Sequence, residues 1–431
     1  MKMFLCALVL TSASLACANS QASASEEITL QQALRLSLQH NPQLAGYQFR
    51  RAALAGEQST AGLRPETRLQ LEAENLAGTG DYAGVEAAEL TLSFASLLEL
   101  GGQRDSRLAV TTARQQQLES ERRVAVLDLV AAVNYRFIAL LATQEQVQLE
   151  EEAQRLAQAL VDNLVKRVQA GSTPQAELTR ARAALARTEI ALEKARQQAH
   201  AETLQLSAFW ADPTPDFARA RGDLFVLADV EKPGPETLAR WQARLAQNPD
   251  LALLGDATRL RAAELRKAEA EGKLALGWNA GVRQLQDSSD TALVVGLSMP
   301  LASGKRASGA LQTARAEQDA AQFAEDVAKS QLEVRLNSTF AAHQQAWGEA
   351  QSLRERILPL MQEAVRATAS AFEQGRYSSL ELAMAQRELL DTRAELISAA
   401  LRTHETRIEL ERLTASAQSI ATQATESEPT P

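Results

Sequence analysis

The sequence predicts a mainly α-helical protein that carries a transmembrane β-barrel. Ala, Leu, Glu, Gln and Arg dominate its 431 residues and aromatic residues make up only 4%, which is typical of long helices packed as in coiled coils. Two pairs of segments alternate apolar and polar residues, as strands do. This layout occurs twice, about two hundred residues apart. The two repeats are predicted to span 25–210 and 236–416.

Three short motifs mark the duplication, because they recur in one order at nearly one offset. The pairs are Asn41-Pro42 with Asn248-Pro249, Gly102-Gln103-Arg104 with Gly304-Lys305-Arg306, and Gly171 before Glu177-Leu178 with Gly375 before Glu381-Leu382. A period near two hundred is too long for a short-repeat solenoid. Each repeat is therefore predicted to contain a helix, a strand pair and a long helical hairpin.

The chain begins like a secreted protein. Lys2 precedes an apolar stretch, Phe4 to Leu15, that is too short to span a bilayer. Ala22-Ser23-Ala24 then provides a small-residue cleavage site, so a signal peptide is predicted over 1–24. Ser14-Leu15-Ala16-Cys17 offers an alternative, because it resembles a lipoprotein motif in which Cys17 is lipidated. Cleavage after Ala24 would remove both cysteines of the chain.

The first repeat is predicted to start with one helix from Ile28 to Leu63, where leucines recur every four residues. Apolar and polar residues then alternate in two runs that form a strand pair within 66–98. No proline occurs between Gln103 and Pro174, which indicates a very long helix. Gly171 permits a tight turn into a return helix, and the hairpin spans 103–210.

A proline-containing connector, 211–235, separates the repeats. The second repeat is predicted to hold a helix from Glu236 to Ala270, a strand pair within 273–300, and a hairpin over 305–416 that turns at Gly375. Pro359 is expected to kink the long helix, since proline removes a helical hydrogen bond. The polar tail 417–431 is predicted to be disordered.

Four strands with one apolar face cannot close a barrel, which needs about eight strands. An open sheet cannot span lipid, because every backbone polar group there must be paired. Closure therefore requires several chains. The alternative is that the strand pairs form ordinary soluble sheets at the end of a coiled coil.

Three groups of segments carry a family resemblance: Glu72 to Gly80 with Leu98 to Arg104, Asp290 to Leu301, and Phe209 to Asp212 with Gly222-Asp223-Leu224. With these the chain resembles the TolC-like outer-membrane efflux family over about 28–415. Within it, the chain is most similar to the outer-membrane component of cobalt–zinc–cadmium resistance systems.

The resemblance implies a homotrimer in outer-membrane lipid. Each chain would give four strands to one twelve-stranded barrel and four helical stretches to a long periplasmic α-helical barrel. It implies an exit duct for heavy-metal cations, joined through a periplasmic adaptor (membrane fusion protein) to an inner-membrane RND pump. A duct for organic compounds or secreted polypeptides is the alternative with the same fold. A periplasmic adaptor and a secreted structural coiled coil without a pore are alternatives of other classes.

No enzyme motif occurs, since the chain has no nucleophile elbow, zinc-protease helix or phosphate loop. The net charge of −9 gives no reason to expect nucleic acid binding. We predict no catalytic, cofactor or metal site, because the four histidines have no second ligand at helical spacing; they are His40, His200, His343 and His404.

Two glutamates are candidates for a role in transport. Glu177 and Glu381 each lie six residues beyond a hairpin glycine, at Gly171 and Gly375. The resemblance implies that acids at this place line the periplasmic entrance, where threefold symmetry would form an acidic ring that favours cations. The alternative is an exposed first-turn glutamate that the helix dipole stabilises.

Overall fold

The structure, a computed structural model, describes residues 27–226, 232–300 and 303–415. The predicted signal peptide, Cys17 and the tail 417–431 lie outside the described residues. The first repeat contains β1 (Glu27–Ile28), α1 (Leu30–His40), α2 (Pro42–Ala61), β2 (Arg68–Glu74), β3 (Glu89–Glu99), α3 (Gln103–Gln169) and α4 (Gln175–Ser207). The connector contributes β4 (Arg219–Ala220), which pairs with β1 in parallel.

The second repeat has the same order of elements. It contains α5 (Pro235–Leu245), α6 (Pro249–Glu271), β5 (Ala275–Leu285), β6 (Thr291–Ser298), α7 (Ser303–Ser352), α8 (Leu358–Glu373) and α9 (Ser379–Leu413). The sheet of β2, β3, β5 and β6 is antiparallel and joins the two repeats through β3 and β5.

The prediction of a single helix before each strand pair is wrong. Both helices are broken at the Asn-Pro motif, into α1 and α2 in the first repeat and α5 and α6 in the second. Proline disfavours helical geometry in the residue before it, and Asn41 and Asn248 are indeed extended, with ψ of 121° and 127°. Each proline occupies the first turn of the next helix, where no N–H is needed.

The asparagine of each motif also fixes a tertiary junction. The side-chain oxygens of Asn41 and Asn248 accept hydrogen bonds from the first N–H groups of α2 and α6. Their amide groups donate to the carbonyls of Phe209 (2.9 Å) and Leu413 (2.7 Å), where the return helices end. The Asn-Pro motif therefore occurs twice because both repeats contain the same junction between helices.

Pro359 is accommodated by a five-residue π-turn, Leu353–Ile357, between α7 and α8. The N–H of Leu358 donates to the carbonyl of Leu353, five residues back. Such a wide turn relieves the clash between a proline ring and the carbonyl four residues before it. The predicted kink is thus a local widening of the helix.

The largest buried cluster surrounds the middle of α3. Val130, Val133, Phe137 and Leu140 are at most 3% exposed there, and they pack with residues of α1, α4, α9 and the connector. α3 is the one described helix that is long and apolar enough to cross a membrane, but 56% of its apolar window is buried. Burial in this cluster explains the apolar window of α3 as part of the core.

Two buried histidines lie where α7, α9 and the connector meet. His343 is 4% exposed and its Nδ1 is 2.9 Å from Thr406 Oγ1, while the Nε2 of His404 is 2.9 Å from the Leu224 carbonyl oxygen. Burial lowers the pKa of His343 to about 4 and also lowers the pKa of His404, and the nearby Arg407 charge acts in the same direction. His343 is therefore neutral in the folded protein at pH 7.

We expect the free energy of unfolding to fall as the pH drops from about 6.5 to 4. In this window unfolded His343, with its ordinary pKa near 6.5, binds a proton that the folded protein excludes. The contribution of His343 over the whole window is about 3 kcal/mol per chain. His343→Gln should flatten the dependence of the urea midpoint on pH, whereas His200→Gln, at an exposed position on α4, should not. Equal slopes in both variants would contradict this role of His343.

Candidate functional site

The sheet exposes its apolar face. Rows of apolar side chains cross all four strands in register, for example Leu71, Leu92, Val282 and Leu293. Leu71 is 69% exposed and Leu293 is 79% exposed, whereas Thr91 and Ser93 on the opposite, polar face are about 5% exposed. A soluble sheet buries its apolar face, so this arrangement is that of a sheet surrounded by lipid.

The polar face contains a charged group that links three strands. Arg283 on β5 lies 2.9 Å from a carboxylate oxygen of Glu74 on β2 and 2.6 Å from one of Glu89 on β3. Its Nε also donates to Thr91 Oγ1 at 2.9 Å. No local sequence pattern marks Arg283 as part of a charged group, because its partners are more than 190 residues away in the chain. The polar face thus has the character of a hydrated barrel interior.

Both edges of the sheet are open. β2 and β6 each have one neighbour among the described strands, since the order is β2-β3-β5-β6. Unpaired edge groups are tolerated in water but not in lipid. A sheet that is apolar outside and open at both edges therefore requires further strands from other chains.

At the opposite end of the molecule, the two helical hairpins turn at glycines. Gly171 and Gly375 both have φ of +71°, a left-handed conformation that residues with a Cβ adopt at a cost. The hydrogen bonds are also equivalent, because the N–H after each glycine donates to a carbonyl five residues back, as in a Schellman motif. The turns place Glu177 and Glu381 in the first turns of α4 and α9.

The two glutamates have different local partners. Glu381 forms a capping box with Ser378, whose N–H and hydroxyl donate to the carboxylate at 2.6 and 2.8 Å. These hydrogen bonds lower the pKa of the Glu381 carboxyl group. Pro174 occupies the equivalent position before Glu177 and cannot cap in this way. The Glu177 carboxylate instead accepts a hydrogen bond from Ser379 Oγ of the other hairpin, at 2.7 Å.

A second contact joins the hairpin tips. The Arg167 guanidinium lies over the Phe372 ring, 4.1 Å from its centre, and donates to the Phe372 carbonyl at 3.0 Å. A cation against an aromatic face is a favourable contact. No local sequence pattern predicts this pair, because the two residues are 205 positions apart. The structure thus brings Glu177 and Glu381 to one end of the molecule, where both tips are held together.

No group of three or more His, Cys, Asp or Glu side chains that could hold a metal ion occurs among the described residues. Of the histidines, His343 and His404 are buried, and His40 and His200 are exposed.

The family model for outer membrane efflux proteins matches residues 18–212 and 240–416, which is most of the chain. The chain belongs to the outer membrane efflux protein family. One relative, the cobalt-zinc-cadmium resistance protein CzcC of Cupriavidus metallidurans, is 26% identical over 318 residues, covering 73% of this chain and 74% of CzcC.

Solved structures of outer-membrane proteins share the fold. The outer membrane protein VceC of Vibrio cholerae matches with a TM-score of 0.71 at 18% identity, covering 89% of this chain and 95% of VceC. The open state of the MtrE outer membrane channel of Neisseria gonorrhoeae also matches with a TM-score of 0.71 at 18% identity, covering 89% of this chain and 88% of MtrE.

These matches confirm the predicted fold class, a mainly α-helical chain that contributes strands to a transmembrane β-barrel. This outer membrane efflux protein therefore lies in the outer membrane. Members of the family are trimeric outer-membrane components of tripartite efflux systems.

Proposed function

We propose that this protein is the outer-membrane exit duct of a tripartite RND-type efflux system that exports heavy-metal cations. The observation that carries the duct is the open four-stranded sheet with its apolar face outward. Three copies would give twelve strands, enough to close a barrel around a polar interior. Similarity to CzcC supports the metal cargo.

The arrangement of helices also supports assembly from several copies. Four helices lie side by side in the order α2, α3, α6 and α7. Ion pairs join each helix to the next: Glu57–Arg114 (3.1 Å), Arg114–Glu264 (3.7 Å) and Arg261–Glu317 (3.2 Å). The outer two carry exposed apolar side chains, with Phe49 on α2 70% exposed and Phe323 on α7 71% exposed. The inner two, α3 and α6, carry no exposed large apolar residue in the described structure. Apolar groups confined to both edges indicate contact between the edges of neighbouring copies.

Phe49 and Phe323 lie at the same height on the two edge helices. Three contacts define this level across the helices: Arg50–Glu121 (2.5 Å), Ser120–Asp256 (2.5 Å) and Thr258–Glu325 (2.9 Å). α2 leads into edge strand β2, and α7 follows edge strand β6. We infer that the same edge continues from sheet to helices, and that Phe49 of one copy packs near Phe323 of the next.

Purification and cross-linking test this assembly. The protein should be a detergent-stable trimer in the outer-membrane fraction and should conduct ions in a planar bilayer. Phe49→Cys combined with Phe323→Cys should give covalent dimers and trimers on oxidation. Phe49→Cys with Val334→Cys is the control, since Val334 is also exposed but lies roughly 16 Å further along α7. A soluble, well-folded monomer without conductance would contradict the proposal that the protein is a duct. A trimer without cross-links would contradict only the contact between Phe49 and Phe323.

We infer that the duct is passive and not an enzyme. Selection of cargo and the energy for transport would come from an inner-membrane RND pump, linked to the duct by a periplasmic adaptor. The polar face of the sheet, which would line the barrel, supports a role as a passive conduit. Cations would pass through a hydrated tunnel whose periplasmic end is gated.

We also propose that Glu177 and Glu381 form the acidic periplasmic entrance. The hairpin tips place both carboxylates at one end of the molecule, and a threefold axis would bring together three copies of each. Glu381 also caps α9, and Glu177 also contacts Ser379. A test must therefore remove charge while keeping hydrogen-bond acceptors.

The double variant Glu177→Gln, Glu381→Gln is expected to lower cation preference without loss of trimer. Glutamine still fits a capping box at position 381, and its amide oxygen can accept from Ser379 at position 177. The reversal potential in a salt gradient measures the effect. Glu189→Gln with Glu363→Gln is the matched control, because it removes two exposed charges away from the tips. Glu189 lies twelve residues after Glu177, and Glu363 lies twelve residues before Gly375. Unchanged selectivity in the first variant would leave both glutamates with a structural role only.

A further inference from the structure

We propose that Cys17 is not lipidated in the assembled protein, and that the mature chain begins at Ser25 with no acyl group. This inference rests on the proposed position of the sheet in the outer membrane. It depends on how far a chain from Cys17 to β1 can reach.

β1 is held far from the sheet. Glu27 and Ile28 pair with Arg219 and Ala220 of β4, and Ile28 is 5% exposed within the main core cluster. The Gln144 side-chain amide, in the orientation that satisfies both of its polar atoms, bonds the backbone of Ala220. It accepts a hydrogen bond from the Ala220 N–H (2.7 Å) and donates one to the Ala220 carbonyl (3.1 Å). The start of the described chain is thus fixed at the level of Gln144 on α3.

The membrane lies at the other end of this part of α3. α3 begins at Gln103, four residues after β3 leaves the sheet at Glu99. The helical stretch from Gln103 to Gln144 is roughly 60 Å long at 1.5 Å per residue. α1 and α2, which run over the same interval on the way to β2, together contain roughly 46 Å of helix.

The segment available to a lipid anchor is too short for either distance. Glu27 is ten residues after Cys17, and ten fully extended residues span at most about 36 Å. An acylated Cys17 could reach the membrane only if β1 left β4 and Ile28 left the core. Cleavage after Ala24 requires neither change, because Ser25 is then two residues from Glu27.

Two sets of variants in the full-length precursor separate the routes. Ala22→Tyr with Ala24→Tyr removes the small residues of the signal-peptidase site, and we expect unprocessed precursor and loss of the mature form. Cys17→Ser removes the only acceptor of the lipoprotein motif, and we expect normal processing and assembly. Mass spectrometry of the N-terminal peptide should find an unmodified end at Ser25.

Lipidation would reverse every result. Cys17→Ser would then accumulate precursor, the tyrosine variant would mature normally because its substitutions lie beyond Cys17, and the N-terminal peptide would carry an acylated cysteine. That outcome would overturn the inference about Cys17. It would leave the duct intact, since conductance of the purified trimer reports on the proposed function independently.

Discussion

A strain that lacks this gene is expected to become several-fold more sensitive to cobalt, zinc, cadmium or a related divalent cation. A pump and adaptor without an outer-membrane exit would release cations into the periplasm, from which they re-enter the cell. Minimal inhibitory concentrations and cell-associated metal measure the effect. The expectation rests on the similarity to CzcC, because the described residues contain no coordination cluster that could identify a metal.

Three controls make this experiment decisive. Deletion of the partner pump should give the same sensitivity, and deletion of both genes should add nothing. The strain should lack paralogous ducts, since these could substitute for the missing protein. Full metal resistance combined with new sensitivity to dyes or detergents would contradict the metal cargo, and would favour a duct for organic compounds with the same fold.

Leu71→Arg is expected to abolish the assembled trimer. Leu71 lies in the middle of β2, with its side chain on the apolar face and 69% exposed. An arginine facing lipid near the middle of a membrane barrel costs about 2–4 kcal/mol, and each trimer would carry three. We expect the protein to disappear from the outer-membrane fraction, as measured by heat-modifiable migration of the trimer.

Gln70→Arg is the matched control. Gln70 is the preceding residue on the same strand and is also exposed. Its side chain is on the polar face, and it pairs with Ser93 of β3. The same charge at the same height should therefore leave the trimer intact and change only conductance. Equal effects of the two variants would contradict the assignment of the two faces to lipid and lumen.

Much of this architecture could be predicted from local sequence. Alternation of Leu69 and Leu71 with Arg68, Gln70 and Glu72 indicates both the strand and its apolar face, because side chains in a strand point to opposite sides in turn. The helix breaks at Asn-Pro are not evident from the apolar pattern, although the motif itself marks the repeats. Apolar periodicity continues across each break, so the pattern alone favours one helix where the structure has two, joined at Asn41 or Asn248, each bonded to a remote carbonyl.

The sequence by itself determined the duplicated layout, the faces of the strands and the hairpin glycines, because each depends on residues close together in the chain. Only the tertiary structure decided how the equivalent glutamates differ. Glu381 caps its own helix, whereas Glu177 bonds Ser379, 202 residues away. Only the structure, too, placed Ile28 at the level of Gln144, which sets the reach from Cys17 to the membrane. Contacts and distances of this kind depend on packing between remote segments, and no local pattern of residues encodes them.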